Sequence, residues 1–201
     1  MINSFLKAKH WQLFLLMIGI PILFQFILFS SLFINISENT EPNPIDIFKP
    51  FSYFPIMMIL CCGVFFGWFW SMAIGLQRKI PKKITMKVKR FKIFLCIPLL
   101  YILLISIFVG FSFGNAATMQ EQDIIDIAPF FAIIIPLHLF SMFCMFYMLY
   151  FTAKTIKTVE LQRELRFSDF AGEFFLLWFY FIGIWIIQPK INKMIANDNT
   201  I

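Results

Sequence analysis

Histidine, methionine and cysteine lie close together in one apolar stretch of the sequence, and all three can bind soft metal ions. His138, Met142 and Met145 are spaced i, i+4 and i+7, which puts their side chains on one side of a helix. Such groups are ligands for Cu(I), and His with Met can ligate a haem. Further candidates for such a site are Cys144, Cys61 and Cys62. Methionine and cysteine are also common fillers of apolar helices, so we interpret these residues as packing residues and predict no metal and no cofactor.

A second group of residues could form a polar site inside a membrane. His138 needs a polar partner in its apolar surroundings, and Gln25 and Tyr101 are polar residues of two other apolar stretches. Together these three side chains could line a narrow polar cavity, which would suit a small transporter or channel component. Interhelical hydrogen bonds explain the same residues more simply.

Carboxylates that could serve acid–base chemistry follow the fourth long apolar stretch. They are Glu160, Glu164, Asp169 and Glu173, with Arg163 and Arg166 among them. A membrane-embedded hydrolase could hold such groups near the membrane surface. The sequence shows no His-Glu-x-x-His, no Cys-x-x-Cys and no Gly-rich phosphate loop to accompany them. An enzyme is therefore an alternative to the leading hypothesis, and we predict no catalytic residue.

The elements that must position these residues are four long apolar runs. The runs are 11–33, 54–76, 93–113 and 129–151. Each has about 20 residues, enough for a helix to cross a hydrocarbon core of about 30 Å. Apolar residues make up 60% of the 201-residue chain and charged residues only 14%. We predict an all-α integral membrane bundle of four transmembrane helices. None of the runs contains Asp, Glu, Lys or Arg, which weakens the transporter alternative.

Basic residues collect on one set of connections. Those between the second and third runs are Arg78, Lys79, Lys82, Lys83, Lys87, Lys89, Arg90 and Lys92. Basic residues also precede the first run and follow the fourth, whereas the first and third connections are mainly acidic. The positive-inside rule then predicts a cytoplasmic N-terminus in the inner (plasma) membrane, and the residue usage suggests a bacterial protein. We expect the basic connection to contact anionic lipid headgroups and predict no nucleic acid partner.

Two further segments follow the fourth run. Residues 152–168 contain good helix formers and i,i+3 charge pairs, which predicts a cytoplasmic continuation of the fourth helix. Residues 174–187 are apolar but too few to cross a membrane comfortably, which favours an interfacial or re-entrant helix. Trp178 and Trp185 suit a membrane interface.

Small residues recur every four positions in two of the runs. They are Gly63, Gly67, Ser71 and Gly75 in the second run, and Ser106, Gly110 and Gly114 in the third. In lipid this spacing lets two helix backbones approach closely. We predict that these faces are helix-packing surfaces and that the second and third runs contact each other through them.

The leading functional hypothesis is a small non-catalytic polytopic membrane protein. We expect an accessory subunit, or a membrane-embedded partner of a larger complex, that presents residues 152–173 to a membrane protein partner. The alternatives from other classes are a small transporter or channel component and a membrane-embedded enzyme.

Overall fold

The computed structural model describes residues 2–38, 53–114 and 121–196, and all regular structure in these ranges is helical. The α-helices, in chain order, are α1 (Ile2–Lys7), α2 (His10–Phe14), α3 (Ile20–Glu38), α4 (Phe54–Gly75), α5 (Val88–Gly114), α6 (Glu121–Leu161), α7 (Phe167–Trp178) and α8 (Tyr180–Ala196). A π-helix, Leu15–Gly19, joins α2 to α3, and a 3₁₀ helix, Leu76–Lys79, follows α4.

Four helical segments are long and apolar enough to cross a membrane. They are His10–Ile34, Phe54–Lys79, Val88–Ser112 and Ala132–Leu161. A continuous helix satisfies its own backbone N–H and C=O groups, which lipid cannot do. The predicted all-α bundle with four transmembrane helices is therefore confirmed, and the chain is a multi-pass membrane protein.

Pro21 accounts for the irregular start of the first span. Proline has no N–H, and its ring crowds the carbonyl of the residue four positions earlier. The chain places a π-helix, Leu15–Gly19, directly before this point, and the Ile20 N–H donates to the Leu15 carbonyl. The wider π turn is a usual way of fitting such an irregularity into a helix that otherwise continues.

Side-chain packing is concentrated at one end of the bundle. Large side chains that are fully buried there are Trp68, Phe69, Met72, Phe91, Ile156, Phe170, Ile184 and Ile187. We call this region the packed end; it is built from α1, the last turns of α4, the 3₁₀ helix, the first turn of α5, the last turns of α6, and α7 and α8. Towards the other end the spans present apolar side chains outward, such as Phe26 (71% exposed) and Phe33 (76% exposed). That half of the molecule depends on lipid to cover its surface.

The fourth span extends beyond its apolar run but ends earlier than the sequence suggests. We predicted helix over residues 152–168, whereas α6 ends at Leu161 and α7 begins at Phe167. Gln162 adopts a positive φ of 52°, which ends the helix. Asp169 then starts the next helix, because its Oδ2 accepts the Arg166 N–H at 2.9 Å in the first turn of α7.

The apolar run 174–187 is divided between two helices that form a hairpin. α7 and α8 meet at Phe179 and pack together, with Glu173 opposite Lys190. Glycine is required at position 183, in the first turn of α8, because a Cβ there would overlap the Leu176 carbonyl oxygen. Phe170 of α7 and Ile191 of α8 are both buried at the packed end, so the hairpin begins and ends there. Both the interfacial and the re-entrant form of the predicted short apolar segment are compatible with this hairpin.

Candidate functional site

Four charged side chains form a closed ring at the packed end. The Lys157 ammonium lies 2.9 Å from a Glu160 carboxylate oxygen and 3.1 Å from one of Glu173. The Lys190 ammonium lies 2.6 Å from Glu160 and 2.8 Å from Glu173. Each carboxylate therefore contacts two ammonium groups, and the ring joins α6, α7 and α8.

Glu173 is the most buried member of this ring, with 8% of the residue exposed. Burial raises the pKa of Glu173, but hydrogen bonds from Lys190 and Lys157 act in the opposite direction, and the pKa ends below its ordinary value. The carboxylate is therefore ionised at neutral pH. A carboxylate held in this state by two lysines is suited to joining helices, whereas a general acid needs a raised pKa.

The four carboxylates singled out in the sequence do not converge on one point. Glu160 and Glu173 share the charge ring, while Asp169 belongs to a separate ion pair in which Arg163 Nη2 lies 3.0 Å from its Oδ1. The Arg163 guanidinium and the Arg166 N–H hold the pKa of Asp169 below its ordinary value. Glu164 is exposed. The predicted acidic cluster is thus divided into one structural ring, one helix cap and one surface residue.

Gln188 forms a second polar junction, fully buried, that the sequence analysis did not pick out. Its side-chain oxygen accepts the Trp68 indole N–H at 2.9 Å. Its amide nitrogen donates to the carbonyls of Phe5 at 3.0 Å and Ala8 at 2.9 Å, and Asn192 also donates to Ala8 at 3.1 Å. The Phe5 carbonyl also accepts the Ala8 N–H at 3.3 Å, and the Ala8 carbonyl lies beyond the C-terminus of α1. Gln188 and Asn192 therefore hold the end of the N-terminal helix in place.

The small-residue face of α4 lies against α1. A Cβ on Gly67 would lie 3.0 Å from the Phe5 ring, and one on Gly75 would lie 2.6 Å from Leu6 Cδ1. Gly63 has nothing within 4 Å of its Cβ position. The second and third spans do contact each other, as predicted. At Gly67 and Gly75, however, the small-residue face lies against α1 and not against the third span.

The other predicted packing residues have local roles. Ser71 Oγ donates to the Gly67 carbonyl at 2.7 Å, and Ser106 Oγ donates to the Leu103 carbonyl at 2.8 Å. Gly110 is buried in α5, and Gly114 is the last residue of that helix. Both serines thus satisfy their hydroxyl groups within their own helices, as is common in apolar surroundings.

Residues 110–114 match a Gly-x-Ser-x-Gly pattern. In serine hydrolases that pattern places the nucleophile on a sharp turn between a strand and a helix. Here the five residues form the last turns of α5, within a continuous helix. The backbone geometry therefore lacks the exposed turn that such a nucleophile requires.

Two of the three predicted polar-site residues contact each other. Tyr101 Oη and His138 Nδ1 are 3.1 Å apart, between the third and fourth spans. Tyr101 is 8% exposed, whereas His138 is exposed. Gln25 is exposed on the first span and hydrogen-bonds to neither of them. The histidine has the interhelical partner that a lone intramembrane histidine needs.

The histidine, methionine and cysteine group is only partly brought together, because Met145 lines one cavity with Cys61 and Cys62 while the other members have different surroundings. Met142 is exposed and Cys144 is buried, so the two point to different environments on α6. Among the residues whose side chains the structure describes, no group of three or more His, Cys, Asp or Glu could hold a metal ion. Cys61 and Cys62 line an apolar cavity of about 430 Å³ between the spans, together with Pro21.

The basic residues between the second and third spans differ in their contacts and exposure. Lys79 donates to the Met194 carbonyl at the end of α8, and the Lys92 ammonium lies 5.5 Å above the Trp70 ring. The exposed basic side chains are Arg78, Lys82, Lys83, Lys87, Lys89, Arg90 and Lys92. Arg78 and Lys79 also line an open cleft of about 740 Å³ at the packed end.

No known protein family matches this chain, and neither does any curated protein sequence or solved structure. The chain is a multi-pass, all-α membrane protein, and in its described residues the charge ring and the Gln188 junction both lie at the packed end.

Proposed function

We propose that this chain is a small non-catalytic membrane protein that works as an accessory subunit or membrane-embedded partner of a larger assembly. The observation that carries this proposal is Gln25. It is exposed near the middle of the first span, and within the described ranges its amide has no hydrogen-bond partner. An unsatisfied amide in hydrocarbon costs several kcal/mol, and a hydrogen bond to a second membrane helix removes that cost.

The location of the other polar groups supports the same proposal. The charge ring of Lys157, Glu160, Glu173 and Lys190 joins three helices of this chain, and Gln188 fixes the N-terminal helix. Both networks have their partners inside the protein, as structural networks do. Gln25 differs from them because it faces the surroundings of the bundle.

The surface that we propose for a partner is the first span, in preference to residues 152–173. In residues 152–173, Thr152, Thr155 and Ile156 are buried, whereas residues 160–164 are exposed. By contrast, only 17% of the most apolar window of the first span is buried. The partner we propose is a membrane helix that carries a hydrogen-bonding side chain opposite Gln25.

Photo-crosslinking in native membranes tests this function. A photoreactive residue at Phe29 lies one helical turn from Gln25 on the same face, and one at Ile27 lies on the opposite face; both side chains are exposed. We expect a protein adduct from position 29 that disappears in the Gln25→Leu background, and little from position 27. Equal protein labelling at both positions, or labelling of lipid alone, would contradict the proposal.

We further propose that the N-terminus and the packed end face the cytoplasm of a bacterial inner membrane. The asymmetric distribution of basic residues supports this orientation. In a variant whose four native cysteines are replaced, Lys82→Cys should react with a membrane-impermeant thiol reagent only after the cells are permeabilised. Labelling in intact cells would reverse the orientation.

A further inference from the structure

The cleft at the packed end is lined by basic side chains from two separate parts of the chain. Arg78 and Lys79 come from the 3₁₀ helix after α4, and Lys190 and Lys193 come from α8. Its volume of about 740 Å³ falls within the range of about 300–1,000 Å³ that is usual for small-molecule sites. Residues distant in sequence thus build one concave basic surface.

Only some of the basic side chains that line the cleft have partners within the described part of the protein. Its acidic side chain, Glu160, already contacts Lys190 and Lys157 in the charge ring. Lys79 donates to a backbone carbonyl of α8. Arg78 and Lys193 are exposed, and in the part of the chain that the structure describes neither forms a hydrogen bond or an ion pair. These two cations leave the cleft with positive charge available to a ligand.

The same cleft has an apolar wall beside its basic side chains. That wall is formed by Leu6, Leu76, Val159, Met194 and Ile195. An anionic group could contact the basic side chains while an attached apolar group covered the wall. This combination suits an amphiphile better than it suits a small inorganic ion.

We infer that the cleft binds a phosphate group, with Arg78 and Lys193 as its main contacts. The Arg78 guanidinium can donate two parallel hydrogen bonds to phosphate oxygens, and the Lys193 ammonium supplies a flexible positive charge. The phosphate has two sources with the same chemistry: the headgroup of an anionic phospholipid, or phosphate free in solution. This site is separate from the intramembrane surface around Gln25.

The test compares two double variants of equal charge change in full-length protein in a neutral detergent. Arg78→Gln/Lys193→Gln removes the two cleft cations, and Lys82→Gln/Lys83→Gln removes two exposed lysines from the same connection that do not line the cleft. Native mass spectrometry follows binding of dioleoyl phosphatidylglycerol, with phosphatidylcholine as the zwitterionic comparison. Thermal unfolding follows binding of inorganic phosphate at constant ionic strength.

We expect the cleft variant to lower phosphatidylglycerol affinity about tenfold or more and the Lys82/Lys83 variant to change it less than about threefold. That result supports a lipid headgroup as the source. If inorganic phosphate raises the unfolding temperature of wild type and of the Lys82/Lys83 variant but not of the cleft variant, free phosphate is the source. Equal weakening by both double variants, or no binding of either probe to wild type, would overturn the inference.

Discussion

At the scale of single residues, the packed end is held by polar side chains whose partners are inside the molecule. Gln188 links α4, α8 and the end of α1 through its oxygen and its amide nitrogen. The charge ring links α6, α7 and α8. A buried polar group stabilises a fold only while its partners are in place, so single substitutions here should have large effects.

Gln188→Leu should lower the free energy of unfolding by about 1–3 kcal/mol, because it leaves the buried Trp68 indole N–H without an acceptor and removes one donor each from the carbonyls of Phe5 and Ala8. The measurement is reversible unfolding in detergent. Trp68→Phe removes the indole donor, so the double variant should cost less than the sum of the two single changes. Fully additive costs would show that the two side chains act independently.

Stability should depend on pH through Glu173. Its folded pKa is lowered by Lys157 of α6 and Lys190 of α8, with Glu160 of α6 completing the surroundings. A lowered folded pKa contributes stability that is present above the unfolded pKa of about 4.3 and is lost as pH falls through the folded pKa.

Glu173→Gln should therefore destabilise the protein by about 1–3 kcal/mol at pH 7, and this difference from wild type should shrink as the pH falls below about 4. Unfolding temperatures of both proteins between pH 3 and pH 8 supply the measurement. A difference that stays constant over this range would show that Glu173 contributes through shape rather than charge.

At the scale of elements, the short helix α1 is part of the core. It buries Leu6 and packs on α4 where Gly67 and Gly75 leave room. A helix of six residues is not stable on its own, so tertiary packing and the Gln188 contacts hold it. The four-residue spacing of small residues correctly indicates a close approach in the second span. It could not show that the approaching helix is α1, because spacing carries no information about which partner is nearest.

Gly75→Leu should displace α1 and lower stability by about 1–3 kcal/mol, because the added side chain would occupy the space of Leu6 and Ile2. Gly63→Leu is the matched control on the same helix, since nothing lies within 4 Å of its Cβ position. Unfolding temperatures in detergent, with protease sensitivity of the N-terminus as a second readout, distinguish the two variants. Similar losses in both would mean that the helix itself, and not the α1 contact, responds to the change.

At the scale of the whole molecule, the chain combines a well-packed end with spans that face lipid. The four spans could be predicted from the long apolar runs alone, because the thickness of the hydrocarbon core fixes how long such a run must be. The hairpin and the charge ring could not be predicted in the same way, because Glu173 and Lys190 meet only after Phe179 breaks the apolar run. The sequence contained one weak indication of the polar junction at Gln188: Asn192 follows it one turn later on the same helical face. Interhelical hydrogen bonds were predicted for Tyr101 and His138, but the sequence did not identify the two as each other's partner, and it grouped Gln25 with residues that it does not contact.

The mass of the particle extracted in mild detergent tests most directly whether this protein works with a membrane partner through Gln25. Wild type should be recovered in a particle containing more than one chain, and Gln25→Leu should be recovered as the single 23.8 kDa chain. The control Ser30→Ala should resemble wild type, because Ser30 already donates to the Phe26 carbonyl. A wild-type protein that is recovered only as a single chain in several mild detergents, and is indistinguishable from Gln25→Leu, would contradict the account.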